Sequence, residues 1–473
     1  MSEISKKKIL FLTLSNRAVF RNLFFFPNCV FSELKKFAET HHDFFIVLLV
    51  PVKDVEKYTE AVLGAGLGQH YAVEGVHVPL SKGVVQKVFY FLYSYLIYTH
   101  TTKILATIAI RPDEPPAGGR RMLAPIKWLI AHTLGRSNSI KQVLVPKLFL
   151  RIFKNNRPFK DLFLKYQPHL VFASHLYGWF DHHMLAESKR RTIPSLGMAA
   201  GWDHLDKYFL PFHVDTLLAQ SEEIKNSAIK YQGYKAEDIK IVGYPHFDFI
   251  VSKENEMPRN AVLEYLKFSN AARYIVYVSG SAYCPDEPVI IAEMLRWMDE
   301  GKFGADVYLV IRPYVGGRTK DREFDYQKFN KFSEHPRVVF FSDELWGNVE
   351  KSKIFVNVIR YCDILLGMYT TLVLEAAALD RPLLAAAFDG YRTLPFHRSI
   401  RRFEQFEHFK DVLKTGALTT AYNFPDLEKY IERYMKDQTL YAQNREVLRI
   451  NLCHRLDGKS SERVSKEITS LFS

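Results

Sequence analysis

The sequence predicts an α/β protein built from two doubly wound, Rossmann-like domains, and three observations support this. The chain has 473 residues, 48% of them hydrophobic and 25% charged, so it is too long for one core and too apolar to be disordered. Short apolar runs alternate with amphipathic runs, as in parallel sheets covered by helices. Between Pro245 and Asn270 the apolar runs are missing. Two domains are therefore expected, at residues 1–248 and 249–473.

The first domain is predicted to alternate strands with helices. Strands are expected where short apolar runs are bounded by charged or turn-forming residues, and helices where apolar residues recur every three or four positions. The expected strands are Lys8–Leu14, Phe44–Pro51, His169–Ser174, Ile193–Met198, Val214–Ala219 and Ile239–Val242. The expected helices are Cys29–Thr40, Val55–Leu63, Phe159–Tyr166, one after Asp181, and Ser221–Gln232, which Gly233 ends.

The second domain repeats the alternation. Its expected strands are Tyr274–Val278, Ala305–Ile311, Val338–Phe341, Ile364–Leu366 and Pro382–Ala387. Its expected helices are Val289–Met298, Thr371–Leu379, Pro425–Met435 and Glu462–Leu471.

An insert around residues 85–160 interrupts the first domain. Its aromatic part, Val88–Ile110, is followed by a basic part in which Lys and Arg residues face only Asp113 and Glu114. With a formal net charge of +12, this distribution suits nucleic acid, an anionic membrane surface or a phosphorylated substrate. Polar residues interrupt the aromatic part before it reaches the ~20 apolar residues of a spanning helix. A segment that docks on a membrane without crossing it is one expectation.

The cysteines and the first residues favour a cytoplasmic protein. Cys29, Cys284, Cys362 and Cys453 stand singly, without the close pairs of a zinc site or redox dithiol. Three lysines precede the first apolar run, as in a signal peptide, but that run is too short for one. A first β-strand is expected instead.

The most informative segment is Gly367–Pro382. Tyr369, Thr370 and Thr371 lie between a strand and a helix, and Glu375 follows one turn into that helix. A helix N-terminus offers N–H donors to phosphate, and a nearby carboxylate can accept the hydroxyls of a ribose. The alternative is that a threonine merely caps the helix and Glu375 complements its dipole.

This segment resembles the donor-binding helix of GT-B glycosyltransferases. Three further segments, Gly201–Leu205, Val214–Glu222 and Ile241–Asp248, resemble in order and spacing the end of the N-terminal domain of surface-polysaccharide transferases and CDP-glycerol glycerophosphotransferases. The likeness covers roughly residues 168–390. It implies that the two domains face a central cleft, the GT-B arrangement, with a nucleotide-activated donor on the second domain.

The resemblance also implies an acceptor side on the first domain. Trp202 and Asp203 belong to the first of the three matching segments. Ser15, Asn16 and Arg17 form the turn after the opening strand. These five residues are the candidates for that side.

Further donor-binding candidates follow two strands of the second domain. Ser279, Gly280 and Ser281 form a small-residue turn that lets backbone donors approach a phosphate. Arg312 ends a strand and could pair with a diphosphate, or it could form a surface salt bridge. Tyr314 departs from the histidine that the resembling families carry near this point. The spacing GxGxxG is missing, which argues against an NAD-dependent oxidoreductase.

An inverting GT-B transferase needs a base that takes the acceptor's proton. His175 and Asp181 follow the strand ending at Ser174 and are the candidates, with a structural histidine as the alternative. His182 and His183 point about 100° apart in a helix, so both cannot face one site.

The expected function is transfer of a sugar from a nucleotide donor to a cell-envelope or capsular polysaccharide or a lipid-linked acceptor, without metal or cofactor. Retaining members of the resembling family carry a second glutamate where this chain has Gly367, which favours an inverting or phosphodiester-forming enzyme. The alternatives are transfer of a polyol phosphate from a CDP-glycerol-type donor, a UDP-N-acetylglucosamine epimerase, or a non-catalytic membrane or nucleic-acid binder. The expected location is the cytoplasm, including the inner face of the plasma membrane, and nucleic acid is not the expected partner.

Overall fold

The computed structural model describes residues 7–15, 19, 23, 26–64, 70–79, 83–107, 123–280, 283–314, 319–342 and 348–472. They divide into two compact units. The first holds the described residues of Met1–Thr102, Pro125–Phe249 and Asp457–Ser473, and the second those of Lys103–Ala124 and Ile250–Leu456. The functional division at residue 248 stays a prediction.

The first unit is built on a seven-stranded sheet in the order β3-β2-β1-β4-β5-β6-β7. The strands are β1 Lys8–Thr13, β2 Phe44–Pro51, β3 Tyr71–Val76, β4 Leu170–Ala173, β5 Ser195–Met198, β6 Thr216–Ala219 and β7 Ile239–Ile241. All the pairings are parallel. Helices cover such a sheet on both faces, which explains why β2 is a continuous apolar run, buried from Phe44 to Val50.

Helices alternate with these strands, and several more form the insert between β3 and β4. The helices from β1 to β7 and beyond are Val30–Thr40, Val55–Gly64, Val84–Ser94, His100–Thr107, Ala124–His132, Val145–Ile152, Lys160–Tyr166, Trp179–Arg191, Glu222–Ser227 and Pro245–Val251. In the insert, Phe89 and Tyr93 are buried against Phe149. None of the helices described has the length and apolar character needed to cross a membrane.

The second unit contains a six-stranded parallel sheet in the order β10-β9-β8-β11-β12-β13. The strands are β8 Arg273–Val278, β9 Val307–Arg312, β10 Val338–Phe340, β11 Ile364–Gly367, β12 Leu383–Ala386 and β13 Leu418–Ala421. The helices are Arg259–Tyr265, Glu287–Asp299, Thr319–Phe329, Val349–Tyr361, Leu372–Ala378, Glu407–Lys414, Phe424–Lys436 and Ala442–Leu448. Two doubly wound α/β units confirm the predicted fold class.

The last helix, Ser460–Thr469, packs in the first unit against Val30–Thr40. Its first N–H groups are held by a buried carboxylate, because Ser460 N and Ser461 N donate to the two oxygens of Asp248 at 2.9 and 2.7 Å. Asp248 is the aspartate that ends the third family-like segment. Its role in this structure is to cap this helix.

Candidate functional site

The strand order of the first sheet locates a ligand-binding edge. β2 and β3 lie on one side of β1 in the sheet. β4 lies on the other side of β1, and β5 lies beyond β4. Loops therefore diverge at the carboxyl ends of β1 and β4, and doubly wound sheets bind ligands at such a switch point. The loop after β1 carries Ser15, and the loop after β4 carries His175. Asn16 and Arg17 lie outside the described residues.

A buried carboxylate ties these two loops together. Asp181 accepts a hydrogen bond from Thr13 Oγ1 at 2.7 Å and another from His175 N at 3.3 Å, both on Oδ1. Ser174 N donates to Thr13 Oγ1 at 3.0 Å, which links the strand ends further. Asp181 is fully buried, and its Oδ2 has no hydrogen-bond partner among the described residues. This geometry suits a positioning group better than a base that meets an acceptor.

His175 is the better placed of the two candidate bases. Its Nδ1 lies 3.3 Å from Ser15 Oγ, and its ring lies 4.0 Å from the ring of Tyr177. Gly178 makes room for it, since a Cβ there would lie 2.6 Å from Nδ1. Burial lowers the pKa of His175, and the charge of Asp181 opposes this. The ring is therefore held largely neutral at pH 7, the form that can accept a proton.

The other acceptor-side candidates lie in the loop after β5. Asp203 forms an ion pair with Lys207, and His204 Nε2 lies 3.3 Å from the hydroxyl of Tyr177. Burial lowers the pKa of His204 to about 4. Trp202, next to Asp203, is half-buried. These contacts join the loop after β5 to the loop that carries His175.

The paired histidines that follow are core residues. His182 and His183 are 3% and 2% exposed in the helix Trp179–Arg191, and burial lowers their pKa values to about 3 and about 4. The ring of His183 packs 4.6 Å from that of Trp179.

The second sheet has its own switch point, between β8 and β11. The loops after these strands touch, because a Cβ on Gly280 would lie 2.1 Å from the sulfur of Met368. A Cβ on Gly367 would lie 2.5 Å from the carbonyl oxygen of Val278, so glycine lets the two strands pair closely. The donor-binding candidates Gly280 and Thr370 therefore follow two adjacent strands. Ser281 lies outside the described residues.

An ionic cluster of Glu287, Asp325 and Lys328 lies under the turn after β8. Lys328 Nζ is 2.6 Å from Glu287 and 2.7 Å from Asp325, and all three side chains are buried. Gly280 N donates to Glu287 at 2.8 Å, and Ser279 Oγ donates to Asp325 at 2.7 Å. Burial raises the pKa of Glu287, and Lys328 opposes that rise. These bonds anchor the turn, so phosphate binding by Ser279 and Gly280 stays a prediction.

Arg312 ends β9 and is 4% exposed. It donates through Nη1 to the carbonyl oxygen of Phe341 at 2.8 Å, and its guanidinium lies 4.8 Å from the ring centre of Phe355. The side chain is buried against aromatic rings and therefore does not lie on the surface. Its proposed contact with a diphosphate is not tested by these bonds.

The segment after β11 is partly tied into the fold. Tyr369 is buried and donates to Glu404 at 2.8 Å. Thr370 Oγ1 accepts from Leu372 N at 3.4 Å, the local cap considered above. Thr371 is exposed, and Glu375 is half-buried in the helix Leu372–Ala378. Thr371 and Glu375 are the candidates of this segment most open to a ligand.

Sequence reasoning missed Arg402, which follows β12 in the short helix Ile400–Gln405. It is 2% exposed, its Nη1 donates to Ser399 O at 2.9 Å, and within the described part of the chain its Nε has no hydrogen-bond partner. Burial lowers its pKa, and the nearby charges of Cys284 and Asp389 oppose this. Cys284 follows β8, so this buried cation belongs to the same edge of the second sheet. The only signal was a cluster of arginines at residues 398–402.

Metal and thiol chemistry can be considered only for the described chain. There, no group of three or more His, Cys, Asp or Glu side chains could hold a metal ion. The four cysteines are buried and free. Chemistry without a metal stays a prediction.

Solved structures show which proteins share this fold. A co-structure of Staphylococcus aureus MnaA with UDP matches with a TM-score of 0.52 and 14% identity, over 98% of this chain and 97% of that one. UDP-GlcNAc 2-epimerase from Neisseria meningitidis, bound to UDP-GlcNAc, matches with a TM-score of 0.54 and 10% identity, over 98% and 100%. The Methanocaldococcus jannaschii UDP-GlcNAc 2-epimerase gives 0.52 and 13%, over 98% and 99%.

These likenesses show the fold. The GT-B resemblance read from the sequence is confirmed as a GT-B-like pair of Rossmann-like domains, a fold that nucleotide-sugar enzymes use. No protein-family model matches the chain, and no curated protein matches it. At 10–14% identity the neighbours do not decide between transfer and epimerisation.

Proposed function

We propose that this protein is a glycosyltransferase that moves a sugar from a nucleotide donor to a cell-envelope or capsular polysaccharide or a lipid-linked acceptor. One observation carries the proposal. Candidate residues of both domains, His175 in the first and Gly280 and Thr370 in the second, follow strands at the switch points of the two sheets, where doubly wound sheets bind ligands. The enzyme works in the cytoplasm, at the inner face of the plasma membrane.

The second domain holds the donor. Glu375 accepts the hydroxyls of the ribose, and Thr371 contacts the diphosphate at the start of the same helix. The buried guanidinium of Arg402 supplies positive charge at this edge. Its Nε, which has no hydrogen-bond partner in the described chain, is the atom left to donate to the diphosphate. A charge-assisted bond of this kind contributes about 1.5–3 kcal/mol to holding the leaving diphosphate.

The first domain holds the acceptor. His175 takes the proton of the acceptor hydroxyl while its oxygen forms the bond to the sugar and the nucleoside diphosphate leaves. Asp181 positions His175 through its backbone N–H, 3.3 Å away, and keeps some positive charge on the ring favourable as the proton arrives. One displacement of this kind inverts the configuration of the sugar.

A panel of nucleotides tests the donor class. Thermal unfolding should be measured with UDP, CDP, GDP and AMP, because a ligand present at a hundred times its Kd stabilises the folded protein by about 2.7 kcal/mol. A shift with UDP or GDP supports a sugar donor, whereas a shift confined to CDP supports transfer of a polyol phosphate. A chain that responds to none of the diphosphates is not the enzyme proposed.

A further inference from the structure

Apolar side chains stand exposed on two helices of the insert in the first unit. Val84 and Val88 of the helix Val84–Ser94 are 77% and 52% exposed. On the helix Ala124–His132, Trp128 and Leu129 are 50% and 55% exposed. We call the exposed side chains of these two helices the insert face; it also includes Val85, Leu92 and Ile126.

The second of these helices is apolar on both sides, because it buries Ile130 and Ala131 and exposes further apolar side chains. Lys127 is 1% exposed, with its Nζ 4.4 Å from the ring centre of Tyr95, while Ile126, Trp128 and Leu129 around it face outward. A helix on a water-facing surface normally buries its apolar stripe and exposes its lysines. A buried lysine together with apolar side chains on the outer side is the pattern expected where that outer side meets an apolar environment.

The second helix packs against the segment that directly follows the first helix, so their exposed side chains belong to adjoining parts of the insert. The ring of Tyr98 lies 5.7 Å from that of His132. A Cβ on Gly135 would lie 2.3 Å from the carbonyl oxygen of Leu96, just after the first helix. Phe89 anchors the first helix in the core, 6.3 Å from Phe149.

The charges around the insert face have one sign. The exposed cations on and beside these helices are Lys87, Arg136, Lys147, Arg151 and Lys154. The described residues from 83 to 160 include no aspartate or glutamate. A face with cations and no carboxylates repels a second copy of itself, but it attracts an anionic surface.

We propose that the insert face docks this protein on an anionic lipid bilayer. The apolar and aromatic side chains settle at the level of the headgroups, and the cations meet the lipid phosphates. Nucleic acid would use the cations but would leave the apolar side chains in water. This inference rests on the proposed function and adds the surface of the protein that would contact the membrane. Docking on a membrane needs neither the sugar donor nor the acceptor. The docking inference and the proposed glycosyl transfer can therefore fail independently of each other.

Cosedimentation of the full chain with vesicles tests this inference. Vesicles of phosphatidylcholine alone and of phosphatidylcholine with phosphatidylserine should be compared at low and high salt. Each cation removed should weaken the partition about fivefold, so Lys87→Gln, Lys147→Gln and Arg151→Gln together should weaken it about a hundredfold. Val88→Ser with Leu129→Ser should weaken it about tenfold or more.

A matched control comes from the second unit. Ile450 is 62% exposed and the side chain of Lys436 is 74% exposed, so Ile450→Ser with Lys436→Gln changes the same chemistry elsewhere and should leave the partition unchanged. No binding to either vesicle, or binding that ignores lipid charge and salt, overturns the inference. So does a dimer that dissociates when Leu129 is replaced, because a second copy would then be what covers this face.

Discussion

Replacing the two candidate bases one at a time separates chemistry from positioning. Asp181 Oδ1 receives the Thr13 hydroxyl and the His175 N–H. In Asp181→Asn an amide oxygen can still accept both bonds, so the fold should be kept while the negative charge is removed. Asp181→Ala removes the acceptor as well. His175→Gln removes the proposed base and leaves the carboxylate in place.

The hydrogen bonds set the expected magnitudes. Each buried donor left without a partner costs about 1–3 kcal/mol, so two of them bound the loss in Asp181→Ala at about 2–6 kcal/mol. The Thr13 hydroxyl also lies 3.0 Å from Ser174 Oγ, so the lower half of that range is expected. Asp181→Asn keeps both acceptor contacts but places an NH2 group where Oδ2 has no partner among the described residues, so it should cost about 1–3 kcal/mol.

The pH dependence of transfer gives a second readout. The charge of Asp181 raises the pKa of His175, so its removal lowers that pKa. Since the base acts in its neutral form, the acid limb of the rate profile should move to lower pH in Asp181→Asn. His175→Gln should lose the limb altogether, together with about 10²–10⁴ in turnover, while donor affinity holds.

Urea unfolding and the rate of transfer between pH 5 and 8 measure these effects. The reasoning is refuted if Asp181→Asn abolishes turnover at every pH while His175→Gln retains it, because the carboxylate would then be the base. Equal loss of donor binding and rate in His175→Gln would instead assign His175 to the structure of the edge.

Three further changes probe the donor edge and the core. Glu375→Gln should weaken nucleotide binding about tenfold or more, since a charged hydrogen bond is worth about 1.5–3 kcal/mol; unchanged affinity by calorimetry would remove Glu375 from the site. Lys328→Met leaves the buried carboxylates of Glu287 and Asp325 without their cation and should cost about 3–5 kcal/mol in unfolding free energy; a neutral result would mean that water reaches the cluster. His182 and His183 have pKa values lowered to about 3 and about 4, so their stabilising contribution is present above the unfolded pKa near 6.5 and is lost as the pH falls below it. Each should cost about 2 kcal/mol of unfolding free energy between pH 7 and 5, so replacing His182 with Phe should remove about 2 kcal/mol of this loss while the contribution of His183 remains.

The sequence predicted best those elements that are buried on both faces. The strand Phe44–Pro51 was predicted with its observed bounds, because a parallel strand between helices is a continuous apolar run. Tyr71–Val76 was missed because it is an edge strand that carries Glu74 and Gly75 and is only half-buried. The helix Thr319–Phe329 was missed because charged residues make up much of its own sequence, so it shows no clear apolar periodicity.

The site was predicted in part for a similar reason. Positions that end a strand can be read locally, so His175, Thr370 and Arg312 were found at the edges of the sheets. The contacts that decide their roles are long-range. Lys328 contacts Glu287, which is 41 residues away in the sequence. No local sequence pattern predicts that this pair anchors the turn at Gly280.

The central claim is tested most directly by following a radiolabelled sugar on its nucleotide donor, with and without a lipid-linked acceptor. The account predicts that the label moves to the acceptor and that one nucleoside diphosphate is released for each sugar transferred, with little release when the acceptor is absent. Isomerisation of the sugar on its nucleotide without any acceptor would contradict it and would make the protein an epimerase.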